Sequence, residues 1–172
     1  MITDEIRKSL AEYLNKNYVI DEHIDGGYIC SNIDDDITKD AGKSFSNKES
    51  FTLDQLMDEV GETFHEMLFL KIDMSGMTDV EVYNRANMDR KLFSKIRSNP
   101  AYHPRKQTVL ALAIALKLSL DDTVDLLARA EYALSPSNKG DLIVRYFIEK
   151  GIYDIMTINF ALDEYGEPTL GV

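Results

Sequence analysis

The stretch that decides the fold runs from Thr78 to Leu118 and reads TDVEVYNRANMDRKLFSKIRSNPAYHPRKQTVLALAIALKL. Thr78 and Glu81 have the spacing of a capping box, in which a Thr hydroxyl and a Glu carboxylate each accept a hydrogen bond from the other residue's backbone N–H. A short helix is therefore predicted to begin here. Asn87 belongs to a residue type that tolerates left-handed backbone angles, so a tight turn is expected where it stands.

Two further helices are predicted after this turn. Asp89 is placed to cap a helix from Arg90 to Ser98, which Asn99-Pro100 stops because the residue before a proline is pushed out of the helical conformation. The run from Gln107 to Leu118 is apolar nearly all round, and a helix of that kind is buried. This third helix is therefore the expected centre of the core.

Five other segments repeat apolar residues at the three- and four-residue spacing of a helix. They are residues 2–17, residues 52–72 with a break near Gly61, a helix capped by Ser119, residues 141–150 and residues 154–165. In the helix capped by Ser119, the apolar positions are Val124, Leu127 and Ala128. The chain is therefore predicted to be mainly all-α.

Residues 18–50 differ from this helical pattern. Asp25-Gly26-Gly27 lies between two short apolar runs, an arrangement that favours a small β-hairpin. Asp34–Ser50 is polar and nearly free of large apolar residues, which is typical of a linker. The predicted organisation is an N-terminal segment over 1–50, with a helix, a hairpin and a linker, followed by a helical domain over 51–172.

Residues 85–106 form a basic island in an acidic chain. The island holds seven Lys or Arg residues and one acid, a net charge of +6, whereas the whole chain carries −11, which leaves −17 for the remainder. The basic residues are Arg85, Arg90, Lys91, Lys95, Arg97, Arg105 and Lys106. A local field of this kind attracts polyanions or acidic protein faces. The pI near 4.7 argues against a protein that binds nucleic acid over its whole surface, but leaves one basic face able to dock.

The composition excludes several other classes of protein. The longest apolar run, Val109–Leu116, is far shorter than the ~20 residues of a membrane-spanning helix. The N-terminus lacks the basic start and apolar run of a secretory signal, so we expect a cytoplasmic protein. Cys30 is the only cysteine and cannot form an internal disulfide, which fits a reducing compartment.

No catalytic or metal-binding motif is visible in the sequence. The chain has no P-loop, no G-x-G-x-x-G, no G-x-S-x-G and no C-x-x-C. Asp34, Asp35 and Asp36 lack the alternating spacing of a calcium loop, and His65-Glu66 is no zinc helix because Phe69 occupies the second histidine position. We therefore expect no enzyme, no cofactor and no metal site.

The order of a capped short helix, a tight turn, a second short helix and an Ala/Leu-rich helix ending in L-x-L-S-L-D-D resembles the lambda-repressor-like helix-turn-helix family, also called the Cro/C1 or XRE type. The resemblance covers residues 78–121, within a domain from about Leu53 to Leu134. It implies a lambda-repressor-like helical bundle, with extra C-terminal helices, whose second motif helix enters the major groove of DNA. The stretch from Leu53 to Gly171 is also similar to a module found C-terminal to macro or kinase-like domains in bacterial proteins, which implies an adaptor as often as a protein that reads an operator.

The resemblance also assigns roles to single positions. On the first motif helix it places Val80, Val82 and Tyr83, with Ala86 as the small contact residue; Met88 takes the apolar turn position, Asp89 the cap, and Phe93 and Ile96 the buried face. Two positions depart from the family pattern. Asp79 stands where the family often has a Gln that contacts phosphate, and Asn87 replaces the turn glycine.

The predicted DNA-binding residues are Arg85, Arg90, Lys91, Ser94, Lys95, Arg97, His103, Arg105 and Lys106. Arg can form a forked contact with a guanine edge, while Lys and Ser hold phosphates. The alternative for the outward face of the second motif helix is a solvated polar surface. For His103, Arg105 and Lys106 the alternatives are a contact with the DNA backbone and a merely solubilising loop.

The leading functional prediction is a sequence-specific DNA-binding transcriptional regulator. The first alternative is an interaction module that keeps the fold and holds an acidic protein partner, and the second is an acidic inhibitor that mimics nucleic acid. We also expect a homodimer through the C-terminal helices, since they add apolar residues to a chain that already has a core. The residues nominated for that surface are Ile143, Tyr146, Phe147, Ile152, Ile155, Ile158 and Phe160.

Overall fold

A computed structural model of the protein describes residues 2–18 and 62–171. These residues belong to one compact unit that contains eight α-helices and, among the described residues, no strand. The helices are α1 (Asp4–Asn17), α2 (Phe64–Ser75), α3 (Asp79–Arg85), α4 (Arg90–Ser98), α5 (Lys106–Ala115), α6 (Leu120–Arg129), α7 (Lys139–Glu149) and α8 (Ile155–Glu164). The predicted all-α class is confirmed. None of these helices has both the length and the apolar content needed to cross a membrane.

Part of the predicted organisation lies outside the described residues. The hairpin around Asp25-Gly26-Gly27, the linker over Asp34–Ser50 and the first part of the helix predicted over 52–72 all belong to this part. The described remainder of that helix is α2, which begins after Thr63, an N-cap residue with extended backbone angles. Helix α2 therefore begins three residues after Gly61, near which the sequence predicted a break.

Helix α5 lies at the centre of the core, as the sequence predicts. Residues 108–115 are all buried, and α5 packs against α3, α6 and α8. The helix ends at Ala115, three residues before the predicted end. Lys117 then adopts a positive φ of 53°, a conformation that a helix cannot continue.

Helix α6 buries a different face from the one predicted. Val124 and Ala128 are exposed, and of the three predicted apolar positions only Leu127 is buried. Thr123 is fully buried because its hydroxyl donates a 2.8 Å hydrogen bond to the carbonyl of Ser119. A polar side chain with an internal partner can thus occupy the core, and the buried stripe is rotated by one position.

The C-terminal helices form core with α1 instead of a separate surface. Helix α1 packs on α7, and the ring of Tyr13 lies 5.2 Å from that of Tyr146. Because α1 belongs to the same compact unit as residues 62–171, the predicted boundary at residue 50 does not separate it from them. Five of the seven residues nominated for a dimer surface are buried within the chain: Ile143, Tyr146, Phe147, Ile155 and Ile158. Of the other two, Ile152 is half-buried and Phe160 is 44% exposed, so the nominated surface is wrong, and dimerisation itself stays a prediction.

The C-terminal tail packs on the turn between α3 and α4. The side chain of Asn159 accepts a 2.7 Å hydrogen bond from the backbone N–H of Leu170 and donates a 3.0 Å bond to its carbonyl. Gly171 then approaches the turn so closely that an added Cβ would lie 2.6 Å from the carbonyl oxygen of Asn87. The tail therefore supports the turn that sets the position of α4.

Candidate nucleic-acid interface

Helix α3 begins at the predicted capping box. The Thr78 hydroxyl accepts a 3.3 Å hydrogen bond from the backbone N–H of Glu81, and the Glu81 carboxylate accepts a 2.8 Å bond from the backbone N–H of Thr78. The backbone N–H of Thr78 and, second, its hydroxyl both donate to this carboxylate, which favours the ionised form and holds the pKa of Glu81 below its ordinary value. Val82 and Ala86 lie fully buried beneath the helix, so α3 has a fixed place on the core.

The turn between α3 and α4 also has the predicted form. Asn87 adopts a positive φ of 48°. The next residue, Met88, is buried, and its N–H donates a 2.9 Å hydrogen bond to the carbonyl of Tyr83. Asp89 then caps α4 through a 2.5 Å hydrogen bond from the N–H of Lys91. Together these contacts determine where α4 begins and which of its sides faces outward.

Helix α4 separates its apolar and basic residues cleanly. Phe93 and Ile96 are buried, and the Phe93 ring lies 5.9 Å from that of Tyr83 and 6.3 Å from that of Phe69. The outward side carries the predicted polar residues, all of them exposed: Arg90, Lys91, Ser94, Lys95 and Arg97.

Arg97 is exposed but engaged by its neighbours. Its guanidinium donates a 2.8 Å hydrogen bond to the carboxylate of Asp79 and lies 4.7 Å from the centre of the Phe69 ring. The carbonyl oxygen of Arg97 lies 3.1 Å from Nε2 of His65. Arg97 thus joins α4 to α2 and α3, a role that the sequence did not indicate.

The other cations of α4 remain available to a ligand. Lys95 has its ammonium group 4.4 Å from the centre of the Tyr102 ring, a cation–π contact that leaves its charge uncompensated. Over residues 2–18 and 62–171, no acidic side chain forms an ion pair with Arg90, Lys91, Lys95 or Arg105. We call the exposed residues Arg90, Lys91, Ser94 and Lys95 the α4 face.

Lys106 does not belong to this face, although the sequence placed it among the DNA-binding residues. Its ammonium group lies 2.5 Å from the carboxylate of Asp141, which is only 5% exposed. The same carboxylate accepts a 2.8 Å hydrogen bond from the backbone N–H of Ser135. Lys106 therefore links α5 to α7 through its ion pair, and its contact with DNA stays a prediction.

The structure also separates His103 and Arg85 from the α4 face. The His103 ring packs 5.3 Å from that of Tyr132, and its Nε2 lies 3.9 Å from the carboxylate of Glu131. Arg85 points a guanidinium nitrogen at the sulfur of Met77, 3.5 Å away, and lines a different depression, which it shares with Lys117. None of these contacts involves a residue of the α4 face.

A cleft of about 450 Å³ runs between α3 and α4 beside the α4 face. Its lining residues are Asp79, Val80, Tyr83, Arg90, Phe93, Ser94 and Arg97. Val80 is 53% exposed and offers an apolar surface in this cleft. Sequence reasoning did not identify the cleft, although Val80 and Tyr83 are three residues apart, the spacing of neighbours on one helix face.

Neither metal-ligand geometry nor similarity to known proteins assigns a role to this surface. Among the described residues, no group of three or more His, Cys, Asp or Glu side chains is placed to hold a metal ion. No protein-family model, curated protein or solved structure matches this chain.

Proposed function

We propose that this protein binds duplex DNA through the α4 face and regulates transcription, as a helix-turn-helix protein of the lambda-repressor-like type. The observation that carries the proposal is the arrangement of α4, whose buried Phe93 and Ile96 hold a side with three cations and one hydroxyl toward solvent. A helix fixed in this way can enter the major groove, where the residues near its N-terminus reach base edges.

The residue types on the α4 face suit that role. Arg90, the first residue of α4, can fork onto the O6 and N7 atoms of a guanine. Lys91, Ser94 and Lys95 can contact phosphates, and Arg105 offers a further cation just before α5. The acidic remainder of the chain would weaken binding elsewhere on the surface and so favour this single orientation.

The test is a binding assay with fluorescently labelled genomic duplex fragments, pooled and then enriched for bound sequences, at low salt. Arg90→Ala should weaken binding to the selected sequence by roughly 10- to 100-fold, because a forked contact with guanine contributes about 1–3 kcal/mol. Lys95→Ala should weaken binding to all sequences alike. The dependence of affinity on salt concentration should show about one fewer counterion released on binding.

Lys8→Ala is the matched control, since Lys8 is an exposed cation on α1. It should leave both the affinity and the salt dependence unchanged. Failure of the wild-type protein to bind any pooled fragment at low salt would contradict the proposal.

A second candidate function is an interaction module that holds an acidic protein partner on the same side. The cleft between α3 and α4 favours it, because its exposed Val80 offers apolar contact that a phosphate backbone does not use. Purification of the tagged protein from its own cells separates the two candidates. Recovered DNA supports the first, and a single stoichiometric protein supports the second.

A further inference from the structure

The ion pair between Asp79 and Arg97 crosses one end of the cleft that borders the α4 face. Asp79 is the first residue of α3, and Arg97 lies in the last turn of α4. Their side chains are 38% and 49% exposed, so the pair stands at the surface and not in the core. A ligand on the α4 face would therefore meet both charges.

Arg97 is restrained from two sides. The Asp79 carboxylate receives its guanidinium hydrogen bond at 2.8 Å, and the ring of Phe69 covers the guanidinium plane at 4.7 Å. Hydrogen bonds between ionised groups are stronger than neutral ones, so a phosphate must compete with Asp79 for this arginine. The carboxylate itself also repels a phosphate that lies within the screening length of about 10 Å at 0.1 M salt.

We propose that Asp79 limits the affinity of the α4 face for polyanions by holding Arg97 in this ion pair. Loss of the carboxylate releases the guanidinium to a ligand phosphate. In the wild-type protein, Arg90, Lys91 and Lys95 would set the affinity for polyanions. Arg97 would not contribute, because Asp79 holds its guanidinium. The inference rests on the proposed function for the identity of its ligand.

The experiment compares the wild-type protein with Asp79→Asn, Arg97→Met and the double variant. Methionine keeps an apolar chain against the Phe69 ring while it removes the charge. Binding is measured with two probes, the pooled duplex DNA and heparin, a sulfated polyanion that is bound through charge. Far-UV circular dichroism and urea unfolding show that each variant is folded at the assay temperature.

Asp79→Asn should bind both probes about tenfold more tightly, since the released arginine gains a charge-assisted contact. The affinity should also depend more steeply on salt concentration, by the equivalent of about one more counterion released on binding. Arg97→Met alone should change affinity by less than about twofold, and in the double variant it should abolish the gain. Asp163→Asn, which removes an exposed carboxylate of α8, is the control and should leave affinity unchanged.

Two results would overturn the inference while leaving the proposed function intact. One is wild-type binding to DNA with no gain in Asp79→Asn. The other is a gain that survives in the double variant, because simple loss of repulsion would then explain it. Conversely, if heparin shows the expected order of variants and no protein form binds DNA, the ion pair limits polyanion affinity and the proposed function fails. Absence of binding to both probes contradicts both proposals.

Discussion

Lys91 and Lys106 belong to the same basic island, yet they end in opposite environments. Lys91 is exposed on α4 and forms no ion pair within the described part of the chain. Lys106 begins α5 and places its ammonium group 2.5 Å from the buried carboxylate of Asp141. A count of charges in a sequence window therefore overstates the charge that a partner can meet.

The difference between the two lysines arises from the helices that carry them. Residues 108–115 of α5 are all buried, so a side chain in the first turn of this helix must lie close to neighbouring elements. On α4, Phe93 and Ile96 are buried, Leu92 is half-buried against the core, and the remaining positions are exposed. A basic residue on a buried helix needs an acidic partner, whereas one on an amphipathic helix does not.

The largest expected effect comes from Lys106→Met, which leaves the Asp141 carboxylate buried without its cation. Breaking a buried ion pair costs about 3–5 kcal/mol, and we expect the lower end because the Lys106 side chain is 23% exposed. Urea unfolding at pH 7 measures the change in the free energy of unfolding. Lys91→Met is the matched control and should change it by no more than about 0.5 kcal/mol. Equal effects of the two substitutions would show that the comparison is wrong.

A second prediction concerns Lys71 and Asp122, an ion pair between α2 and α6 whose burial is intermediate. The ammonium group of Lys71 lies 2.6 Å from the Asp122 carboxylate, and this hydrogen bond, followed by that from Ser119, holds the pKa of Asp122 below its ordinary value. The folded-state pKa is thus lower than the unfolded one. The pair therefore stabilises the fold fully above the unfolded pKa, and this contribution is lost as the pH falls through the folded pKa.

Lys71→Met should accordingly lower the free energy of unfolding by about 0.5–1 kcal/mol at pH 7, a small value because the Asp122 side chain is 40% exposed. The deficit should shrink as the pH falls toward the folded-state pKa of Asp122, since protonation of Asp122 removes the ion pair from the wild-type protein as well. Urea unfolding of both proteins at pH 7 and at pH 3 measures it. A deficit of the same size at both pH values would contradict this account of the pair.

Local signals in the sequence were enough to predict most helix starts. Thr78 with Glu81, Asp89 and Ser119 each cap a helix at the predicted residue, because a cap depends only on residues within one turn. The outward side of α4 was predicted for the same reason, since the spacing of Phe93 and Ile96 fixes which residues oppose them. On α4, apolar periodicity was thus enough to predict which residues face outward.

Contacts between distant residues could not be predicted in this way. The pairing of Asp79 with Arg97, and of Lys106 with Asp141, depends on how separate helices pack. The apolar residues of α7 and α8 looked surplus because nothing in the sequence shows that α1 completes their core. On α6, the hydrogen bond from Thr123 to Ser119 allowed a threonine to replace Val124 in the core.

The smallest expected effect concerns the exposed cations of α4 and reveals whether they serve the fold. A cation near a helix N-terminus is unfavourable, since the backbone N–H groups there carry partial positive charge. Lys91 is the second residue of α4, so Lys91→Glu should raise the free energy of unfolding by about 0.3–0.5 kcal/mol at low salt. Lys95 lies in the last turn, so Lys95→Glu should lower it by a similar amount, and 0.5 M NaCl should diminish both changes. Urea unfolding at 20 mM and 0.5 M NaCl measures them.

A gain for Lys91→Glu would mean that the wild-type lysine reduces stability and is not explained by folding, as expected for a residue that contacts a ligand. A loss of more than about 0.5 kcal/mol would instead assign Lys91 a structural role, and the contrast with Lys106 would then be one of degree.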